Sequence, residues 1–259
     1  MDFNPFAALG AFVAPRIMQG FVIAMTILVL TGTLFDILHK GNGAYFFANR
    51  RKARGLARRE LSGGEKLVLA VETAAEALIS GEFCSTRRRI AHLLAMYGFI
   101  AYVLSTVLLV FWYAEPNSSA PPILPLLWHI GAALILVGGC WFWFFIRVDA
   151  AAEGHSPLRF VRADLFIVAL LKNAALALIW SWLLSMHSAF ALLALLLYLI
   201  SALILFGSAA WSKLPHMFYK PAAAFQRRIE EARGSRMNLP APADLPKRFG
   251  NARELPRHY

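Results

Sequence analysis

Five long apolar runs occupy residues 12–38, 90–113, 123–146, 163–185 and 189–211. Each reaches the roughly 20 residues that a helix needs to cross the hydrocarbon core of a bilayer. The segments between them alternate in charge. Segment 39–89 carries Lys40, Arg50, Arg51, Lys52, Arg54, Arg58, Arg59, Lys66 and the run Arg87 to Arg89, whereas 114–122 has no Lys or Arg. The third-to-fourth connection has Arg147, Arg159 and Arg162, the fourth-to-fifth turn has none, and the tail after 211 is basic again. Basic loops stay on the cytoplasmic side. The pattern therefore predicts an all-α integral membrane bundle of five transmembrane helices, N-terminus outside and C-terminus cytoplasmic. The expected division is a membrane domain over 1–220, with a basic cytoplasmic loop at 39–89, and a cytoplasmic tail over 221–259.

The polar segments have patterns of their own. Ser62-Gly-Gly-Glu65 fits a capping box. Leu67, Val71, Ala74, Ala75 and Leu78 then recur at helical spacing, with Glu72 and Glu76 on another face, which predicts a short amphipathic helix. That helix either lies on the membrane surface or a partner, or covers the cytoplasmic end of the bundle. The tail opens with Lys213-Leu-Pro-His216-Met-Phe-Tyr-Lys-Pro221 and continues as a charged helical run over 222–233. The Pro-containing polar segment 238–259 cannot build a core, so it is either disordered or ordered by a soluble partner.

Composition narrows the function classes. The chain is 59% hydrophobic and only 16% charged, which places it in a lipid bilayer. Its net charge of +11 does not imply nucleic acid, because the cations fall in particular loops. Cys84 precedes the second run and Cys140 lies inside the third; no CxxC pair exists, which argues against a chain-borne iron–sulfur or zinc site. The first run is too long for a signal-peptide core and lacks a small-residue cleavage site, so no cleavable leader is expected. No nucleophile–base or carboxylate constellation marks an intrinsic enzyme. A transporter needs several buried polar groups along a path, and the runs offer few.

The histidines are the candidates for chemistry. A b-type haem in a helical bundle takes two axial imidazoles at one depth on facing helices. His92 opens the second run at its cytoplasmic end, and His216 follows the fifth at the same end. His39 stands at that level too. His129 and His187 mark the outer face as a second pair, though both lie near water; His155 and His258 suggest no haem role. The plain alternative for any terminal histidine is an interfacial polar residue. Lys172 is the one Lys or Arg well inside a run, beside Asn173. It implies a haem propionate, a quinone carbonyl or a carboxylate as partner, or else a stem that snorkels to water. Asp36 and Asp164, at cytoplasmic ends, suit proton uptake to a quinone or helix capping. Gly98, Gly131, Gly138 and Gly139 predict close helix packing. Trp128, Trp141, Trp143, Trp180 and Trp182 read as interface anchors and packing groups.

Three stretches carry a family resemblance. They are Gly81-Glu-Phe-Cys84 leading to Arg89-Ile-Ala-His92 and Tyr97-Gly98-Phe99; Gly138 through Arg147 to Asp164-Leu-Phe; and Leu214-Pro-His216-Met-Phe-Tyr-Lys-Pro221. Over most of 10–225 the chain resembles the membrane cytochrome b subunits of the respiratory nitrate reductase gamma-subunit type. It looks closest to the membrane part of the quinone-interacting oxidoreductase complex and to the membrane anchor of adenylylsulfate reductase in sulfur oxidisers. The resemblance implies five spans, haem b, electron exchange with quinone, and a soluble iron–sulfur or flavoprotein oxidoreductase docked on the cytoplasmic side of the inner membrane. It implies His92 and His216 as axial ligands of one haem, with Lys172, His39 and Asp36 as quinone or propionate contacts. The chain departs from the two-haem pattern. The family's second ligand pair, about three turns along the second span and five turns before the last ligand, falls here on Tyr102 and Tyr198. One haem is therefore expected, and the alternative is a haem-free anchor of the same ancestry.

Overall fold

A computed structural model describes residues 3–39, 41–81, 85–116, 118–147, 154, 156, 158–161, 164–211 and 216–235. Cys84, His155, Arg162, Leu214, His258 and the segment 238–259 lie outside the described residues. Every regular element among those described is helical: α1 (Pro5–Gly10), α2 (Pro15–His39), α3 (Asn42–Gly55), α4 (Gly63–Ile79), α5 (Thr86–Trp112), α6 (Ile123–Trp141), α7 (Leu165–Ser185), α8 (Ala191–Gly207) and α9 (His216–Arg233). A π-turn, Phe142–Ile146, prolongs α6, and a 3-10 turn, Ala209–Trp211, follows α8. Four helices are long and apolar enough to cross a membrane: Pro15–His39, Thr86–Trp112, Ile123–Ile146 and Leu165–Ser185. α8 is equally apolar but has 17 residues, about 25 Å of helix against a core of about 30 Å.

The chain forms two compact units. The first comprises Met1–Asp36 and Arg87–Pro215. Its packing follows from where the small residues fall. Ala91, Gly98 and Ser105 recur every seven residues on α5 and are all buried; Gly131 and Gly138 do the same on α6. A heptad repeat keeps one seam facing its partner at a small crossing angle. The approach is close enough that a Cβ on Gly98 would stand 2.8 Å from the Gly131 carbonyl oxygen. On Gly138 it would stand 2.6 Å from the Ala91 oxygen. α7 packs against both α6 and α8.

Unlike a water-soluble bundle, this unit also turns large apolar side chains outward. On α8 the outward residues are Leu192, Leu193, Leu196, Leu197, Ile200, Leu203 and Ile204, while the inward face holds Ala194, Leu195, Tyr198, Ser201, Ala202 and Leu205. On α7 the buried set includes Asn173, Ala174, Ala177 and Ser181. Helices associate this way in lipid, where apolar side chains gain nothing by hiding and small or polar ones pack and bond. Exposed in water, the same surface would drive aggregation.

The second unit comprises Ile37–Thr86 and His216–Tyr259, and in it α9 packs with the helices of the basic loop. Ser62 and Glu65 form the expected capping box at the start of α4. α9 packs along α4: Arg228 bonds Glu72 at 3.0 Å and also pairs with Glu76. The amide of Arg58 donates to the carbonyl of Arg233 at 2.9 Å, and Arg59 Nε donates to that of Ala232 at 2.8 Å. α9 begins at His216, earlier than the expected run at 222, and contains Pro221 at its sixth position. At that position it lies past the four N–H groups that have no intrahelical acceptor, so it removes one backbone bond of the helix.

Candidate functional site

Tyr102 on α5 and Tyr198 on α8, the two positions where the resemblance would place a second ligand pair, meet in the bundle core. Their hydroxyls lie 2.7 Å apart. Tyr102 Oη donates to Asn173 Oδ1 at 3.4 Å, which leaves Tyr198 donating to Tyr102. Asn173 Nδ2 in turn donates to the Tyr198 carbonyl at 3.4 Å, closing a ring of bonds across α5, α7 and α8. Two axial ligands of one iron face each other across the macrocycle. Here the two side chains bond directly, and these residues do not fit a haem between them.

Aromatic packing seals this cluster. Trp180 stacks on Tyr198 with centroids 5.6 Å apart, and Trp128 lies against Tyr102 at 5.4 Å. Phe6 of α1 sits edge-on to both tryptophans at 5.6 Å. Asn4 holds α1 in place: its Oδ1 caps the Phe6 and Ala7 amides, and its Nδ2 donates to the Tyr113 carbonyl at 2.8 Å. Trp128 Nε1 donates to Thr106 Oγ1 at 2.9 Å. Trp128 and Trp180 are thus core groups, 0% and 1% exposed, whereas Trp182 is an outward anchor at 61%. His129 is half-buried between α6 and α7. Its Nδ1 contacts the Pro125 carbonyl at 2.7 Å and its Nε2 the Ser181 hydroxyl at 2.8 Å. A carbonyl only accepts, so in the neutral ring Nδ1 carries the proton and Nε2 accepts from Ser181. Both ring nitrogens are then engaged within the protein, while His187 is exposed in the turn after α7.

The other predicted residues are placed as follows. His92 lies six residues into α5 and is half-buried, one residue after Ala91, which packs on Gly138. His216 is the first residue of α9; its side chain lies outside the described residues. Asp36 is 3% exposed near the end of α2, and His39 is exposed at that end. Lys172 points outward from α7, although its neighbour Asn173 is buried.

Asp164 does not cap α7 with its side chain. Its Oδ2 instead takes Arg147 Nη1 at 2.6 Å and the Val161 amide at 3.1 Å. The π-turn makes this geometry. It ends with the Arg147 amide bonded to the Phe142 carbonyl, tucks Trp143 inside, and sets the Arg147 guanidinium 4.1 Å over the Trp143 ring. Arg147 Nη2 also donates to the Arg159 carbonyl at 2.7 Å, fastening the connection before α7. Sequence reasoning did not foresee this clasp, nor the roles of Phe6, Thr106 and Ser181. Asn4-Pro5 does carry a helix-start signal.

In the second unit the backbone amide of Ser62 and the Arg59 guanidinium at 2.7 Å hold the Glu65 carboxyl below its ordinary range. Among the described residues no group of three or more His, Cys, Asp or Glu side chains comes together as a metal centre would require.

Fold and packing define an all-helical membrane protein whose apolar helices bury their small and polar faces. No family model, no curated protein and no solved structure matches the chain.

Proposed function

We propose that the chain is the membrane subunit of a redox complex, with five spans, an external N-terminus and both basic segments in the cytoplasm. It docks a soluble iron–sulfur or flavoprotein oxidoreductase, of the adenylylsulfate reductase kind, and passes electrons between that enzyme and the quinone pool. His92 and His216 are its haem b ligands. The observation that supports this reading is the position of the two histidine motifs. Arg89-Ile-Ala-His92 stands at the start of apolar helix α5, and Leu214-Pro-His216 leads into α9 just past the last apolar helix. When bound, the haem supplies a one-electron carrier. Lys172, which faces outward on α7, and Asp36 and His39, near the end of α2, are the contacts of this reading for quinone or a haem propionate. The closed Tyr102–Tyr198–Asn173 ring favours a single haem.

The test uses full-length protein in nanodiscs and optical difference spectra. Wild type is expected to show a haem b band that a quinol reduces, and His92→Ala and His216→Ala to lose it. A folded preparation without that band supports the second reading, a haem-free anchor. That reading draws on the same closed core and on the ion-paired α4–α9 unit as a docking body.

A further inference from the structure

α3 begins at Asn42, with only two residues between it and the end of α2 at His39. Its sequence, NGAYFFANRRKARG, has four cations and no carboxylate. Phe47, Arg50, Arg51 and Arg54 recur at i, i+3, i+4 and i+7, so they share one face and surround a shallow, open depression. Phe47 is 57% exposed and the three arginines are exposed.

Other arginines of the same unit behave differently. Arg59, Arg228 and Arg233 each reach a glutamate, at 2.7 Å, 3.0 Å and 3.3 Å. Among the described residues Arg50, Arg51 and Arg54 have no carboxylate partner. Three adjacent guanidinium groups repel one another, and an exposed phenylalanine beside them leaves apolar surface in water. One environment answers both. Phosphate oxygens accept paired N–H bonds from guanidinium, while an aromatic ring settles at the boundary between headgroups and acyl chains. A cationic cluster next to a spanning helix is where an anionic leaflet acts most strongly, because its field fades within a Debye length.

We propose that the Phe47–Arg50–Arg51–Arg54 face of α3 binds the headgroups of anionic phospholipids in the leaflet bordering the C-terminal end of α2. This does not depend on the haem reading, and it leaves α4 and α9 to meet a soluble partner.

The test is lipid retention by the full-length protein. Nanodiscs of phosphatidylcholine and phosphatidylglycerol are dissolved in mild detergent, and the lipids kept per chain are counted by native mass spectrometry. Wild type is expected to keep phosphatidylglycerol over phosphatidylcholine. The triple variant R50Q/R51Q/R54Q is expected to keep roughly threefold less, as its charge-assisted bonds are lost. R50K/R51K/R54K guards against a folding defect, and is expected to retain an intermediate amount because lysine keeps the charge without the paired donors. R248Q/R253Q/R257Q removes the same charge from the tail and is expected to match wild type. Equal retention by wild type and the α3 glutamine variant would overturn the proposal, as would equal losses in both glutamine variants. Displacement by inorganic phosphate beyond that of chloride at equal ionic strength would assign the face to a free anion and also overturn it.

Discussion

The two units solve the burial problem in opposite ways. In the first, many Leu and Ile face outward, while Tyr102, Asn173, Ser181 and Ser201 are inside and bonded to one another, to His129 or to backbone. In the second, the buried apolar set is small, Ala53, Leu61 and Ile229, and the segments are joined by arginine–glutamate pairs whose carboxylates are exposed. The difference follows from the solvent. Lipid offers no hydrogen bonds, so polar groups must find partners within the protein. Water screens surface ion pairs to about 0–1 kcal/mol each, so the second unit is held by many small contributions.

Breaking the comparison should hurt the first unit most. Asp164→Ala leaves the buried Arg147 without its carboxylate, and a loss of about 3–5 kcal/mol is expected; equilibrium unfolding in mixed micelles would measure it. The double variant Arg147→Met with Asp164→Leu should recover part of that loss. Gly131→Leu should cost about 1–3 kcal/mol or more, because a Cβ there would stand 2.7 Å from the Tyr102 amide nitrogen and the helices must part. Its signature would be a lower Tm with helix content unchanged. Tyr102→Phe and Tyr198→Phe should each cost about 1 kcal/mol, with a coupling near 0.6–1.7 kcal/mol in a double-mutant cycle. Full additivity would show that the two hydroxyls do not bond.

The second unit should yield smaller and more local effects. Ser62→Ala removes the cap of α4 and should cost about 1 kcal/mol, read as faster hydrogen exchange of the α4 first-turn amides. The same end should loosen in acid. The Glu65 carboxyl is held below its ordinary value by the Ser62 amide and Arg59. Its contribution is therefore full above the unfolded carboxylate pKa of about 4.3 and is lost as pH falls through the depressed folded value. Exchange of those amides that is unchanged through this range would contradict the capping role.

Four of the five expected spans were legible because apolar runs of helical length have few other uses, and their helices start or stop within a few residues of the expected limits; the fifth run forms a helix of only 17 residues. The capping box was legible because Ser62 and Glu65 act locally. α3 was not expected: it lacks apolar periodicity, and Gly43 so near its start reads as a turn. The pairing of Arg228 with Glu72 and Glu76 spans more than 150 residues, and no local pattern announces it. Tyr102 and Tyr198 were singled out by counting along two helices. Their direct bond depends on how α5 and α8 pack, which spacing alone does not set.

The most direct measurement is the haem-to-chain ratio of the purified full-length protein by pyridine haemochrome. One haem b per chain is the predicted result, with the Tyr102–Tyr198 contact closing the second position. Two haems per chain would require that contact to open and would contradict the closed core. None in a folded preparation would contradict electron transfer and leave the chain as an anchor.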